Sequence, residues 1–301
     1  MWFIIALVSF FLLALAAVID KILLTKSRIV PISYAFYSIF LGALVSCLML
    51  LFTGDFYFPR DHFIPLLIGG AAFYFGLYFL YQTVQKAEIS KANPLIISLT
   101  PLMVFGLALS LSIELLSAKK LLGIVLIMLS SYFVSQIGLP KTRLGGKSWL
   151  WILITCLMFA LANVFSKVAY TAMPFFTAFI WLRWLALGTA VMFTSAHNGW
   201  PKIFTFKEER AQTTQKKWLA FAIGQTAGGL GVILMQYAIS LGSVTLITAL
   251  NGLQFFLVML MVYFFTRFYP QILKENIAGR FVVKKIIWSL ILFSGVILIL
   301  V

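Results

Sequence analysis

Ten stretches of mostly apolar residues alternate with polar breaks along the chain, at 2–19, 32–53, 63–85, 92–112, 120–138, 149–171, 174–196, 218–240, 243–266 and 285–301. About 20 apolar residues at a rise of 1.5 Å cover the ~30 Å hydrocarbon core of a bilayer. Each stretch is therefore predicted to be a membrane-spanning helix, and the breaks between them are short except at 197–217 and 267–284.

The pattern also repeats. The hairpin from Ile68 to Leu116 joins two runs across the break Lys86–Asn93, and a similar hairpin begins at Ile223 as IGQTAGGLGVILMQYAISLGSVTLITALNG. Ile68 matches Ile223, Gly69 matches Gly224, Gly76 matches Gly231 and Ala87 matches Gly242. ALAAVIDK at Ala14–Lys21 returns as ALANVFSK at Ala160–Lys167. That second match argues that the first run is a retained span, as does the lack of a Lys or Arg ahead of it, which a signal peptide requires. The chain reads as an all-α integral membrane protein of ten spans, with residues 1–140 and 141–301 as two five-helix repeats. Five is odd, so consecutive repeats enter the membrane in opposite senses. Such an inverted repeat is the design of alternating-access transporters, with a site near the midplane between the halves.

Composition agrees with that class. The chain is 62% hydrophobic and 10% charged, with a mean hydropathy of +1.05, whereas soluble domains run at about 45–50% and about 25%. The net charge of +15 would suggest nucleic acid in a soluble protein, but here it maps to the breaks. Every Lys and Arg except Arg60, Lys119, Lys120, Lys167 and Arg183 lies in the odd-numbered connections. The positive-inside rule places those connections in the cytoplasm and both termini outside. The 197–217 and 267–284 segments mix aromatic and basic residues, fitting either an anionic membrane surface or a solvated loop. Cys47 and Cys156 lie inside apolar runs and read as packing residues. His62 and His197 lie near run ends with no second ligand beside them.

Candidate chemistry is sparse and local. Arg183 sits near the middle of run 174–196 with no acid in that run. A charge at bilayer depth costs about 2.5–3.5 kcal/mol on insertion scales, so it faces a cavity or a partner. A ligand or gating contact, including one to an anionic group, fits; so does a structural bond to a neighbouring span. Tyr74, Tyr78, Tyr81, Gln82 and Gln85 fall on one helical face, which suits either a polar cavity or interhelical hydrogen bonds. Gln225, Gly229, Val232 and Gln236 form the corresponding stripe, with Gln236 opposite Tyr81 in the repeat. Asn93, Thr100, Thr248, Asn251 and Gln254 add polar groups to the fourth and ninth runs. Pro101 is expected to kink the fourth, and Asn251-Gly252 to loosen the ninth. Lys21 and Lys167 are repeat equivalents, either snorkelling to the interface or flanking the two mouths of one pathway. The 8 acids, Asp20, Asp55, Asp61, Glu88, Glu114, Glu208, Glu209 and Glu275, all avoid the span centres, so an intramembrane carboxylate proton relay has no support. No P-loop, HExxH, GxSxG or EF-hand spacing occurs, which argues against an enzyme and calls for no cofactor and no metal.

These features resemble the EamA-type branch of the drug/metabolite transporter superfamily. The likeness covers nearly the whole chain: two five-span repeats of this length, and YQTVQKAEISKANPLIISLTPLMVFGLALSL across the third and fourth runs. Glu114 followed by SAKKLLGIVLIMLSSYFV resembles the family's ending of acid, basic residues, glycine and last span. Glu275 followed by Lys284–Val301, with Gly295, resembles it again. The resemblance implies a ten-helix fold around a central cavity and ATP-independent transport, often export, of small metabolites across the cytoplasmic membrane. It departs at TGDFYFPRDHF, a nearly neutral break where many members are basic, and at the longer Glu275 segment; both bear on orientation and on the direction of transport. The expected site comprises Tyr78, Tyr81, Gln82, Asn93, Gln236 and Asn251, with Arg183 adding charge. The expected partners are a small-molecule substrate and the lipid bilayer. A flippase for a lipid-linked sugar and a non-transporting scaffold or receptor component are the alternatives.

Overall fold

A computed structural model describes residues 1–24, 31–53, 56–86, 89–137, 146–201, 203, 215–268 and 279–300. Among them every regular element is helical. In chain order the α-helices are α1 (Trp2–Leu24), α2 (Pro31–Met49), α3 (Phe63–Lys86), α4 (Ile89–Ser110), α5 (Ala118–Gln136), α6 (Gly146–Ala172), α7 (Phe175–Ala196), α8 (Gln215–Leu241), α9 (Val244–Leu250), α10 (Gly252–Phe268) and α11 (Gly279–Leu300). These match the ten apolar runs, except that the ninth is two helices meeting at Asn251. Asn251-Gly252 interrupts it as the sequence suggests, because Gly252 lies so close to Ser131 and Ile127 of α5 that a Cβ there would stand 3.0 Å from Ile127. The helix α4 runs on through Pro101 without interruption. Four windows, Trp2–Ile19, Arg60–Thr83, Gly146–Ala172 and Phe175–Ala196, are long and apolar enough by themselves to cross a membrane.

Local chemistry sets the ends. Ser117 and Ser243 cap α5 and α9, their hydroxyls accepting from the Lys120 and Leu246 backbone N–H, as N-terminal donors require. At the close of α4, Ser112 turns left-handed with φ 54°, so that Ile113 N–H returns to the Ala108 carbonyl at 2.9 Å. Asn198, at φ 48°, does the same after α7, with Gly199 N–H on the Thr194 carbonyl at 2.8 Å. Both are Schellman closures.

The exterior carries Ile4, Phe11, Leu44, Leu48, Ile64, Leu122, Met192 and Leu290, among other exposed large apolar side chains. Such a surface is an aggregation liability in water and the normal one in lipid. Cys47 belongs to that exposed face, whereas Cys156 is buried. Lipid is as apolar as Leu, so helices in it associate through close packing and satisfied polar groups.

Close packing here runs through glycines. A Cβ on Gly123 of α5 would meet the Gly295 carbonyl at 2.8 Å and Ile299 at 3.0 Å; a Cβ on Gly295 of α11 would meet the Gly123 carbonyl and Ile127, each at 2.8 Å. The two helices therefore cross antiparallel at their own glycines. Gly76 of α3 faces Phe159 of α6, and Gly231 of α8 faces Leu13 of α1; a Cβ on either glycine would stand 2.8 Å from that side chain. Ser9 Oγ also donates to the Gly231 carbonyl at 2.8 Å. The helices α3 and α6 are antiparallel, since Gly69 lies by Ser166 and Gly76 by Phe159; α1 and α8 are antiparallel too, since Gly231 lies by Leu13 and Gly242 by Trp2. The helices α2 and α7 each use their seventh residue to hold the loop that follows the other. Tyr37 donates to the Ile203 carbonyl at 3.1 Å, and Trp181 Nε1 to the Tyr57 carbonyl at 3.0 Å.

Overpacking a site this tight costs about 1–3 kcal/mol. Gly123→Val is expected to lower the unfolding temperature of the detergent-solubilised protein by several degrees. Gly188→Ala, at a position with open space beside it, should leave it nearly unchanged.

Candidate functional site

Among the described residues, the polar groups inside the bundle include two clusters and one clip. The first cluster lies where α6, α7 and α8 meet. Asn163, Ser166 and Tyr170 recur at the three- and four-residue spacing that puts them on one face of α6. Gln236 of α8 links two of them: Tyr170 donates its hydroxyl to Gln236 Oε1 at 3.1 Å, and Gln236 Nε2 donates to Asn163 Oδ1 at 3.3 Å. All three side chains are buried. Arg183 of α7 stands within electrostatic reach of Tyr170 and is only 6% exposed. Its guanidinium lies 4.1 Å from the centre of the Phe73 ring and 4.7 Å from that of Phe179. Gly42 of α2 passes beside its stem.

The second cluster lies further along α3, where that helix faces α2 and α7. Gln82 Nε2 donates to the Tyr78 hydroxyl at 3.2 Å, and the Tyr81 hydroxyl meets Ser38 Oγ at 3.5 Å. Tyr78 packs on Phe193 with ring centres 5.1 Å apart. Tyr74, at the head of the same stripe, is fully buried and edge-on to Phe193, so it is a packing residue. Phe73 and Tyr81 are eight residues apart on one helix, so the clusters are separated by about 12 Å along α3.

The clip joins α8 to α9. Lys167 Nζ donates to the carbonyls of Ile239, Ser240 and Gly242 at 2.9, 3.2 and 2.7 Å. These are the unfilled acceptors at the end of a helix, where a cation is also favoured by the dipole. Glu114 takes the opposite terminus, accepting from the Ser243 hydroxyl at 2.7 Å and from Val244 N–H at 2.6 Å. The carboxylate and the ammonium also attract one another across the joint. Lys167 therefore caps a helix, where the sequence offered snorkelling or a pathway mouth. The side chains of its repeat equivalent Lys21, of Asp20 and of Glu275 lie outside the described residues.

Of the residues expected from sequence, Arg183 and Gln236 come together in the first cluster, and Tyr78, Tyr81 and Gln82 in the second. Asn251 stands apart at the α9–α10 break, with its Oδ1 buried and unpaired. Asn93 is the fifth residue of α4, and its side chain is outside the described residues, as are those of Gln85 and Gln225. The 197–217 and 267–284 segments lie mostly outside them. Asn163 and Tyr170 were not anticipated. The polar spacing on α6 was the available signal, masked by an aligned first span with Ala17 and Leu24 at those places.

Charge-assisted hydrogen bonds contribute about 1.5–3 kcal/mol each. Lys167→Met and Glu114→Gln should each lower thermal stability. The double variant should lose less than the sum of the two, read as a double-mutant cycle of unfolding free energies.

Comparison with known proteins fits this architecture. A solved structure described only as "Crystal structure of protein" superposes with a TM-score of 0.68 at 14% identity, covering 98% of this chain and 94% of that one. At that identity the likeness shows the fold, and it extends over both halves. No curated protein matches the chain. Residues 1–136 match the model of the EamA-like transporter family. That family is one of the drug/metabolite transporter superfamily, and the match together with the apolar helices indicates a multi-pass helical membrane protein.

Proposed function

We propose that the protein is a secondary, ATP-independent transporter of a small metabolite that works by alternating access of two inverted five-helix halves, residues 1–140 and 141–301. The observation that carries this reading is the reciprocity of the helix contacts. Gly123 and Gly295, the glycines of the two repeat endings, face each other so closely that a Cβ on either would stand 2.8 Å from the other's carbonyl. Ile299 and Ile127 serve as their respective neighbours. Gly76 on Phe159 and Gly231 on Leu13 are the same contact in the two halves, since Gly76 matches Gly231 and Leu13 matches Phe159. Two repeats related by a twofold axis in the membrane plane have the same contacts available in two mirrored states.

The two polar clusters fit the same picture. Gln236 and Tyr81 are repeat equivalents, so an inverted arrangement sets their clusters on opposite sides of the midplane. The Tyr78–Tyr81–Gln82 cluster is the station nearer the basic, cytoplasmic face. The Gln236–Arg183 cluster, with Asn163 and Tyr170, is the station nearer the other face. Asn93 and Asn251, at the hairpin and at the helix break, complete the polar lining. Movement from the first station to the second is export across the cytoplasmic membrane, with both termini outside.

Purified protein in proteoliposomes should show saturable counterflow, without ATP, of at least one solute from a panel of amino acids, nucleosides, sugars and organic acids. Gln82→Leu and Gln236→Leu should each reduce that flux by about tenfold, the factor for one lost buried hydrogen-bond pair. Absence of solute flux with the protein folded, together with scrambling of a fluorescent lipid-linked sugar, would replace this reading with a flippase.

A further inference from the structure

Arg183 is a buried cation without an anion. It enters α7 nine residues from the start, and no carboxylate among the described residues pairs with it. Glu114 is occupied on the backbone of α9, and Asp61 lies in the short 3-10 turn Arg60–His62 ahead of α3. The rings of Phe73 and Phe179 cover the guanidinium at 4.1 and 4.7 Å, and cation–π contacts of this kind offset part of the burial cost. Rings cannot accept the five N–H bonds that leave a guanidinium at its edges, and that planar fork matches an oxyanion in bidentate fashion. The neighbouring amides are also incompletely used. Gln236 and Asn163 share one bond, which leaves an Asn163 N–H₂ and a Gln236 N–H without partners among the described residues.

We infer that the Arg183–Gln236 cluster is an anion subsite that takes the carboxylate of a small, singly charged metabolite carrying a flat apolar group. The inference rests on the reading of this cluster as a transport station. One arginine balances one negative charge, and among the described residues no second cation stands in the cluster, so a phosphoryl dianion would remain half uncompensated in a low-dielectric site. The carboxylate meets the guanidinium edge. The apolar group lies against the aromatic wall formed by Phe73, Phe179 and Phe175, the last packed on Tyr170 with ring centres 5.2 Å apart. The free amide N–H groups of Asn163 and Gln236 bind whatever neutral acceptor the metabolite presents.

The test uses the full-length protein in lipid nanodiscs with three probes: phenylacetate, its neutral isostere phenylacetamide, and phenyl phosphate. Phenylacetate should bind the wild type about tenfold or more tightly than phenylacetamide, the ratio expected of a charge-assisted over a neutral pair. It should also outcompete phenyl phosphate. Arg183→Gln should abolish that preference, and Arg183→Lys, which keeps the charge and loses the fork, should retain only part of it. The wild-type ratio needs no variant, so misfolding of Arg183→Gln would not rescue a failed result. A preference for phenylacetate that persists in Arg183→Gln overturns the assignment, because the anion then binds elsewhere. Nucleosides or sugars that bind as well as phenylacetate, and weaken in Gln236→Leu, would leave the station standing and refute the anion class. No binding by any solute class to folded wild type would refute the station and the subsite with it.

Discussion

Lipid gives helices no hydrophobic reason to associate, so the structure depends on how closely backbones approach. The contact between Gly123 and Gly295 is where that constraint is tightest. Each glycine lies against the other's carbonyl at a distance that no side chain would permit. Gly123 lies on α5 and Gly295 on α11, so the contact ties those two helices together. The pairs Gly76–Phe159 and Gly231–Leu13 extend the same logic to α3 on α6 and α8 on α1. Small residues against larger ones set the helix directions, and those directions place the polar side chains.

Polar groups inside such a bundle are either satisfied by the fold or available for function. The clip at α8–α9 belongs to the first kind. Lys167 fills three carbonyls and Glu114 fills backbone donors, so both charges are spent on helix ends. Arg183 has ring faces around it and no anion among the described residues, which makes it the candidate for the second. The contrast separates a charge bonded into the scaffold from one whose N–H groups have no acceptor among the described residues, the feature on which the proposed anion subsite rests.

The helices were largely legible in the sequence because ten long apolar runs are strong, local signals. Asn251-Gly252 also marked the helix break correctly. The site was legible only in part. Arg183 and Gln236 stood out as polar residues in apolar surroundings and do share one cluster. Tyr74, Tyr78, Tyr81 and Gln82 share a helical face, as spacing requires, but that face turns toward α2 and α7, and Tyr74 is consumed in packing. Helical periodicity identifies a face and is silent about what covers it. Asn163 and Tyr170 escaped because comparison of the repeats rewards positions that both halves keep, and the first half has Ala17 and Leu24 at those places. The role of Glu114 was hidden for a different reason: its acceptor contacts lie 129 and 130 residues away in the chain.

The opposed orientation of the two halves is the central claim, and labelling from one side of the membrane tests it most directly. Single cysteines at Ser112, Thr171 and Leu241, and at Lys147 and Asn198, would be introduced into a Cys47→Ala background. Each would then react with a membrane-impermeant maleimide on intact cells. The account predicts that positions 112, 171 and 241 label from outside, and that 147 and 198 label only after the membrane is opened. Labelling of 112 and 171 from opposite sides would contradict it, because the two repeats would then enter the bilayer in the same sense.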